Sequence, residues 1–140
     1  MLIDSYPPDL AEQGLGDALA GLADGLQRAG MDVKLEVSQA ENLPPITSAL
    51  IFRAAQEAVR NVAMHSGAQE VVITAGRRGR QATLVVEDDG RGFDQARLRE
   101  RLSAGHFGLR STSDLMTACG GMLRVRAVPG RGTRVKVEVP

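Results

Sequence analysis

At 140 residues the chain is the size of one domain, long enough to bury roughly two thirds of the surface its unfolded form exposes. Its 17 basic and 17 acidic residues cancel and aromatic content is 3% with no Trp, so neither bulk charge nor base stacking argues for nucleic acid or an anionic membrane. A lone cysteine, Cys119, excludes a disulfide framework within the chain and fits a reducing compartment, and no apolar run is long enough to span a bilayer.

The start, Met1 to Pro8, lacks the charged and apolar regions of a signal peptide. After Pro7 and Pro8, Leu15, Leu19, Leu22 and Leu26 recur at helical spacing and the pattern stops at Gly30, which predicts an amphipathic helix. Asp32 to Val37 alternates Val33, Leu35 and Val37 with polar neighbours, the signature of a half-buried strand. Asn42 to Pro45 is a turn, and Leu50, Ala54, Ala58 and Val62 sustain a longer helix from Ile46 to His65. Val71 to Ala75 and Ala82 to Glu87 read as an antiparallel pair joined by a basic turn, Gly76 to Arg80. Gly90 to Phe107 breaks the pattern with glycines at its ends and a charged middle, the composition of a lid or a disordered segment rather than a plain connector. A third helix, Leu109 to Cys119, precedes two strands, Met122 to Val128 and Thr133 to Val139, joined by Pro129-Gly130-Arg131-Gly132. Cys119 reads as small core filler at the apolar end of that helix. This order predicts helices on one face of a mixed sheet.

The most informative stretch is Val85 to Phe93, an apolar run that ends in Asp88 and Asp89 and then in Gly90 and Gly92. A carboxylate at a strand end, followed by a backbone free to approach a ligand, makes a one-sided polar pocket. Being an acceptor only, Asp88 would pair with the exocyclic amine of adenine and repel the carbonyl that guanine has there. An Asp-Gly turn between two strands gives much the same pattern.

Glu57, Asn61 and His65 recur at i, i+4 and share one stripe of an α-helix. The carbonyl oxygen of Asn61 suits Mg²⁺, which keeps waters and phosphates and needs only one or two protein oxygens. Glu57 could orient one of those waters and His65 could donate to a phosphate; a merely solvated helix face reads the same way. Gly105-His106-Phe107-Gly108-Leu109 stands before a helix and offers backbone amides to an anion. Gly130-Arg131-Gly132-Thr133 adds a hydroxyl at a turn, or is simply a hairpin connection. No Walker-type or Rossmann glycine motif is present.

The succession Glu-x-x-x-Asn-x-x-x-His, Asp-x-Gly-x-Gly, Gly-x-x-Gly-Leu and Gly-x-Gly-Thr resembles the catalytic and ATP-binding domain of sensor histidine kinases, within the group that includes gyrase, Hsp90 and MutL ATPases. Residues 56–68 and 87–93 are most similar to nitrate-sensor-like kinases that partner NarL-type response regulators. Tyr6 to Leu15 is similar to the segment that joins the phosphoacceptor helices to this domain, so 1–140 would be a single ATPase domain with a linker-like start at 1–15. The resemblance implies an α+β, two-layer sandwich of the Bergerat type, with a mixed five-stranded sheet and about three helices on one face. It implies that Asp88 binds the adenine amine, Asn61 ligates Mg²⁺, Glu57 sits beside the metal and His65 approaches the phosphates. Gly90 and Gly92 would shape the adenine pocket, Gly105 and Gly108 would hinge the ATP lid with Leu109 among the nucleotide-binding residues, and Thr133 would complete the pocket near Asp88. Two departures stand out: Met64 replaces the Lys or Arg frequent before the His, and Ser111 to Leu115 lacks the Arg usual in the third helix.

The only histidines are His65 and His106, both within the nucleotide motifs. The phosphoacceptor His domain of the same sensor kinase would therefore be the partner, with a response regulator acting indirectly and no nucleic acid. The isolated domain would be a cytoplasmic monomer and its parent a dimer. A standalone serine kinase of the anti-sigma-factor type shares this fold and is the alternative. A regulatory module that has lost ATP binding is a third, opposed by the intact Asp88, Asn61 and glycine boxes.

Overall fold

The computed structural model describes residues 10–38, 40, 42–92 and 108–140. Their elements are α1 (Leu10–Arg28), β1 (Asp32–Ser38), α2 (Pro45–Asn61) with a π-helical turn (Val62–Ser66), β2 (Glu70–Arg78), β3 (Gln81–Asp88), α3 (Gly108–Ala118), β4 (Met122–Val128) and β5 (Gly132–Val139). The expected lid, Asp94 to His106, lies outside the described residues, as do Gly105 and most of the linker-like start.

The five strands form one mixed sheet in the order β1-β2-β3-β5-β4, with β1 parallel to β2 and every other pair antiparallel. Alternation along each strand decides the faces. Val71, Ile73 and Ala75 of β2 pair in register with Asp88, Val86 and Leu84 of β3, which pair in turn with Thr133, Val135 and Val137 of β5. The apolar positions among these are buried, and Leu15, Leu19 and Leu26 of α1 and the Leu50, Ile51, Ala54, Ala55 and Ala58 stripe of α2 join them in one core. Glu87, Arg134, Lys136 and Glu138 fall on the other face, where two exposed ion pairs, Arg134–Glu87 and Lys136–Glu138, contribute little to stability. The result is the expected α+β sandwich, helices on one side of a five-stranded sheet.

Three local differences from the sequence reading have physical causes. α1 begins at Leu10 and is interrupted at Gly14, whose φ of 81° is not helical. β2 runs on to Arg78, so the basic turn shrinks to Gly79 and Arg80; Arg77 and Arg78 keep ladder pairing with Ala82 and Gln81 although both are exposed. α2 ends as an α-helix at Asn61, and its last turn is π. Pro45 opens α2, where its missing amide has no helical partner to lose, and the Thr47 hydroxyl donates to the Pro140 carbonyl at 3.3 Å.

The turn between β4 and β5 is held close to the end of β3. Gly132 has φ 109°, and a Cβ there would run into the carbonyl oxygen of Asp88; Gly130 has φ 77° but open space around it. Gly132→Ala is therefore expected to cost about 3 kcal/mol, from backbone strain plus a clash with main chain that cannot move aside. Gly130→Ala should cost about 1 kcal/mol, the strain alone. Urea unfolding of the two variants checks this, and equal losses would contradict it.

Candidate nucleotide site

β3 delivers Asp88 to its end on the helix-facing side, in line with Ala82, Leu84 and Val86 and flanked across the ladder by Val71 and Thr133. The carboxylate is half-buried. Its Oδ1 accepts the amide of Gly90 at 2.8 Å, an Asx-type turn that bends the chain into the glycine loop. Burial pushes its pKa above the ordinary 3.8, outweighing the lowering from the amides of Gly90 and Thr133; the neighbouring Asp89 charge adds to the rise. Burial thus makes this carboxylate costly to keep ionised, a cost that a further donor would offset.

A pH dependence follows. Adenosine affinity should be flat near neutrality and fall on acidification at a pH above 3.8, as Asp88 takes up a proton and ceases to be a pure acceptor. Calorimetric titrations across pH 4–7 test it, with Asp88→Asn as the reference for protonation of adenine itself. A decline of the same shape in the variant would contradict the assignment.

Asp89 faces the other way. Its Oδ1 accepts two backbone amides, Gln69 and Glu70, each at 2.9 Å, and these bonds hold its pKa below 3.8. The two neighbours thus have opposite signs in linkage: Asp88 favours the folded state below its unfolded pKa and loses that as pH rises through its raised value. Asp89 supports the fold above its unfolded pKa, and its support is lost as pH falls through the lowered one.

α2 carries Glu57 and Asn61, both partly exposed. The Asn61 side-chain amide donates to the Glu57 carbonyl at 2.7 Å, leaving its Oδ1 as an acceptor directed away from that carbonyl. An oxygen so fixed fits a Mg²⁺ ion that also holds phosphates and waters. Among the described residues no group of three or more His, Cys, Asp or Glu side chains gathers into an all-protein metal cage. The expected single stripe of Glu57, Asn61 and His65 does not continue as an α-helix. His65 lies in the π turn, whose closure is i→i+5. Val62 stays in the core while Ala63 and Met64 face outward, Met64 being 62% exposed. The turn ends at Gly67 in a left-handed conformation, φ 62°. The His65 side chain is outside the described set.

The glycine loops dock on one another. Gly92 has φ 62°, and a Cβ there would strike the carbonyl oxygens of Val128 and Gly132; the Gly130 amide donates to the Arg91 carbonyl at 2.6 Å. The Asp-x-Gly-x-Gly loop and the Gly-x-Gly-Thr hairpin, 40 residues apart in the chain by the spacing of Gly92 and Gly132, thereby form one wall beside Asp88. Gly108 and Leu109 open α3, in agreement with a helix start there, and Ser111 to Leu115 lies within it. Sequence reasoning gave Asp89 and Arg91 no role of their own and read Gly67 only as part of a helix end. The guanidinium of Arg91 covers Gly67, its Nε 3.4 Å from where a Cβ would stand. The only advance signal for Asp89 was that the strand ends in a pair of carboxylates rather than one.

Comparison with known proteins gives the family and a likeness of fold. Residues 47–140 match the family described as "Histidine kinase-, DNA gyrase B-, and HSP90-like ATPase". The sensor histidine kinase LiaS of Bacillus subtilis is 30% identical over 141 residues, spanning 100% of this chain and 38% of that protein. The nitrate/nitrite sensor protein NarX of Escherichia coli is 32% identical, over 97% of this chain and 22% of the relative. The chain thus spans well under half the length of these curated relatives. Among solved structures, the histidine kinase domain of the Erythrobacter litoralis blue-light activated histidine kinase superposes with a TM-score of 0.71 at 24% identity, over 91% of this chain and 59% of that one, a likeness of fold.

Proposed function

Since the chain belongs to the family of histidine kinase-, DNA gyrase B- and HSP90-like ATPases, we propose that it is the ATP-binding catalytic domain of a two-component sensor kinase, acting in the cytoplasm. The observation that carries the reading is Asp88, a half-buried carboxylate held at a strand end beside Thr133, with its charge disfavoured until a donor arrives. Asp88 accepts the adenine amine, Gly90 and Gly92 shape the wall around the ring, and Thr133 completes it. Asn61 offers its Oδ1 to Mg²⁺ at the other end, with Glu57 beside the metal and His65 toward the phosphates. Gly105, Gly108 and Leu109 border the nucleotide. Held there, Mg²⁺ would neutralise phosphate charge.

The reaction is an in-line displacement. An imidazole nitrogen on a separate dimerisation domain forms a P–N bond as the bond between the γ-phosphorus and its bridging oxygen breaks, and ADP leaves. The protein's contribution is positioning and electrostatics rather than covalent chemistry. The phosphorylated His then serves a response regulator. A regulator of the NarL type follows from the likeness of residues 56–68 and 87–93 to nitrate-sensor-like kinases; relatives of other kinds, LiaS among them, are as similar.

Asn61→Ala tests the metal end. The variant should lose the Mg²⁺-dependent part of ATP affinity, about 1.5 to 3 kcal/mol for one contact to a charged group, and keep most metal-free binding. If titrations with and without Mg²⁺ fall equally, Asn61 is structural and the metal assignment is wrong.

A further inference from the structure

We propose that Asp89 is a positioning residue that fixes the distance between the adenine end and the phosphate end of the pocket. The inference rests on the nucleotide reading above and concerns a side chain to which that reading gives no role.

The two ends of the pocket stand on different elements. Asp88 and Thr133 belong to the sheet, whereas Asn61 stands at the end of α2, which the π turn prolongs. From the π turn the chain returns to the sheet through only Gly67, Ala68 and Gln69 before β2 starts at Glu70. The ladder between β2 and β3 ends at Val71 and Asp88, and on the side away from the pocket the return is paired to β1, where Asp32 lies opposite Glu70 and its amide donates to the Gln69 carbonyl at 2.8 Å. On the pocket side the Asp89 side chain adds a second hold. One carboxylate oxygen takes the amides of both Gln69 and Glu70 at 2.9 Å, while the Asp89 amide donates to the Glu70 carbonyl at 3.2 Å. Arg91, two residues on, lays its guanidinium over Gly67 at the other end of the same return. The residue next to the adenine-binding position thus grips the exit of the metal-binding helix by its main chain. Charge-assisted bonds to backbone amides are short and directional, which suits a spacer more than a surface cap.

A spacer makes a distinctive prediction, because a ligand that touches one end is indifferent to the distance between the ends. Asp89→Ala should lower Mg·ATP affinity about tenfold, the scale of one lost charge-assisted bond, while adenosine affinity changes by less than about twofold. Asp89→Asn, whose carbonyl oxygen accepts both amides, should restore Mg·ATP binding to within about threefold of wild type. If the alanine variant does not fold, Asp89→Ser, able to reach one amide, should give the same unequal pattern at smaller amplitude. Calorimetry or NMR titration with adenosine and with Mg·ATP reads all of these. Equal losses for both ligands, or no loss for either, overturn the positioning role while leaving the nucleotide site intact. A wild-type chain that binds neither ligand overturns the nucleotide reading and this proposal with it.

Discussion

Incubated alone with Mg²⁺ and γ-labelled ATP, these 140 residues should bind nucleotide and acquire no phosphohistidine. Only two histidines are available. His65 is part of the π turn that prolongs α2, so its backbone is held in regular structure, and on the proposed reading it stands beside the phosphates rather than in line with the γ-phosphorus. His106 lies between the glycines of the Gly-x-x-Gly-Leu run, outside the described residues. Holding nucleophile and phosphate together is worth about 7 to 11 kcal/mol of barrier in well-oriented systems, and the isolated chain forgoes it. Supplying a phosphoacceptor domain on a second polypeptide should restore acid-labile labelling, on that polypeptide. Acid-labile phosphate on the chain alone would contradict the division of labour.

Asp88→Asn is expected to lower ATP affinity by about 1.5 to 3 kcal/mol, the worth of a hydrogen bond to a charged group. Two opposing effects should leave folding stability within about 1 kcal/mol of wild type: the variant sheds the penalty of burying a charge, and it loses the charge assistance of the bonds from Gly90 and Thr133. Affinity would then fall without stability falling with it. Because the amide presents a donor as well as an acceptor, discrimination against GTP should narrow at the same time. Calorimetry with both nucleotides, beside urea unfolding, measures the three quantities. Unchanged ATP affinity would remove Asp88 from the site, and a parallel loss of stability would make the effect one of folding.

The fold was legible where burial follows a simple period. Leucines three and four apart gave α1 its core stripe, and the alternation of Val33, Leu35 and Val37 marked a strand with one covered face. β2 was read too short because Arg77 and Arg78 are paired yet both exposed, and a paired backbone there has no apolar face to announce it. The π turn was not legible at all. It opens on the buried Val62, and the i, i+4 spacing of Asn61 and His65 gives no sign of it.

The candidate site divides in the same way. Asp88, Gly92 and Gly132 could be found because their chemistry is local: a carboxylate at a strand end and glycines where the chain must turn. The structure adds that Gly132 meets the Asp88 carbonyl and Gly92 meets Val128, contacts between segments that sequence order keeps apart. Asp89 escaped for the opposite reason. Its partners are two main-chain amides twenty and nineteen positions away, and backbone donors carry no residue signature.

The central claim is that this chain is an adenine-nucleotide module, and the most direct measurement is a pair of calorimetric titrations of the wild-type chain with Mg·ATP and Mg·GTP. The account predicts saturable one-site binding of ATP, with GTP weaker by at least about tenfold because its carbonyl meets the Asp88 carboxylate. No binding of either nucleotide by a chain that unfolds cooperatively in urea, or equal binding of both, would contradict it.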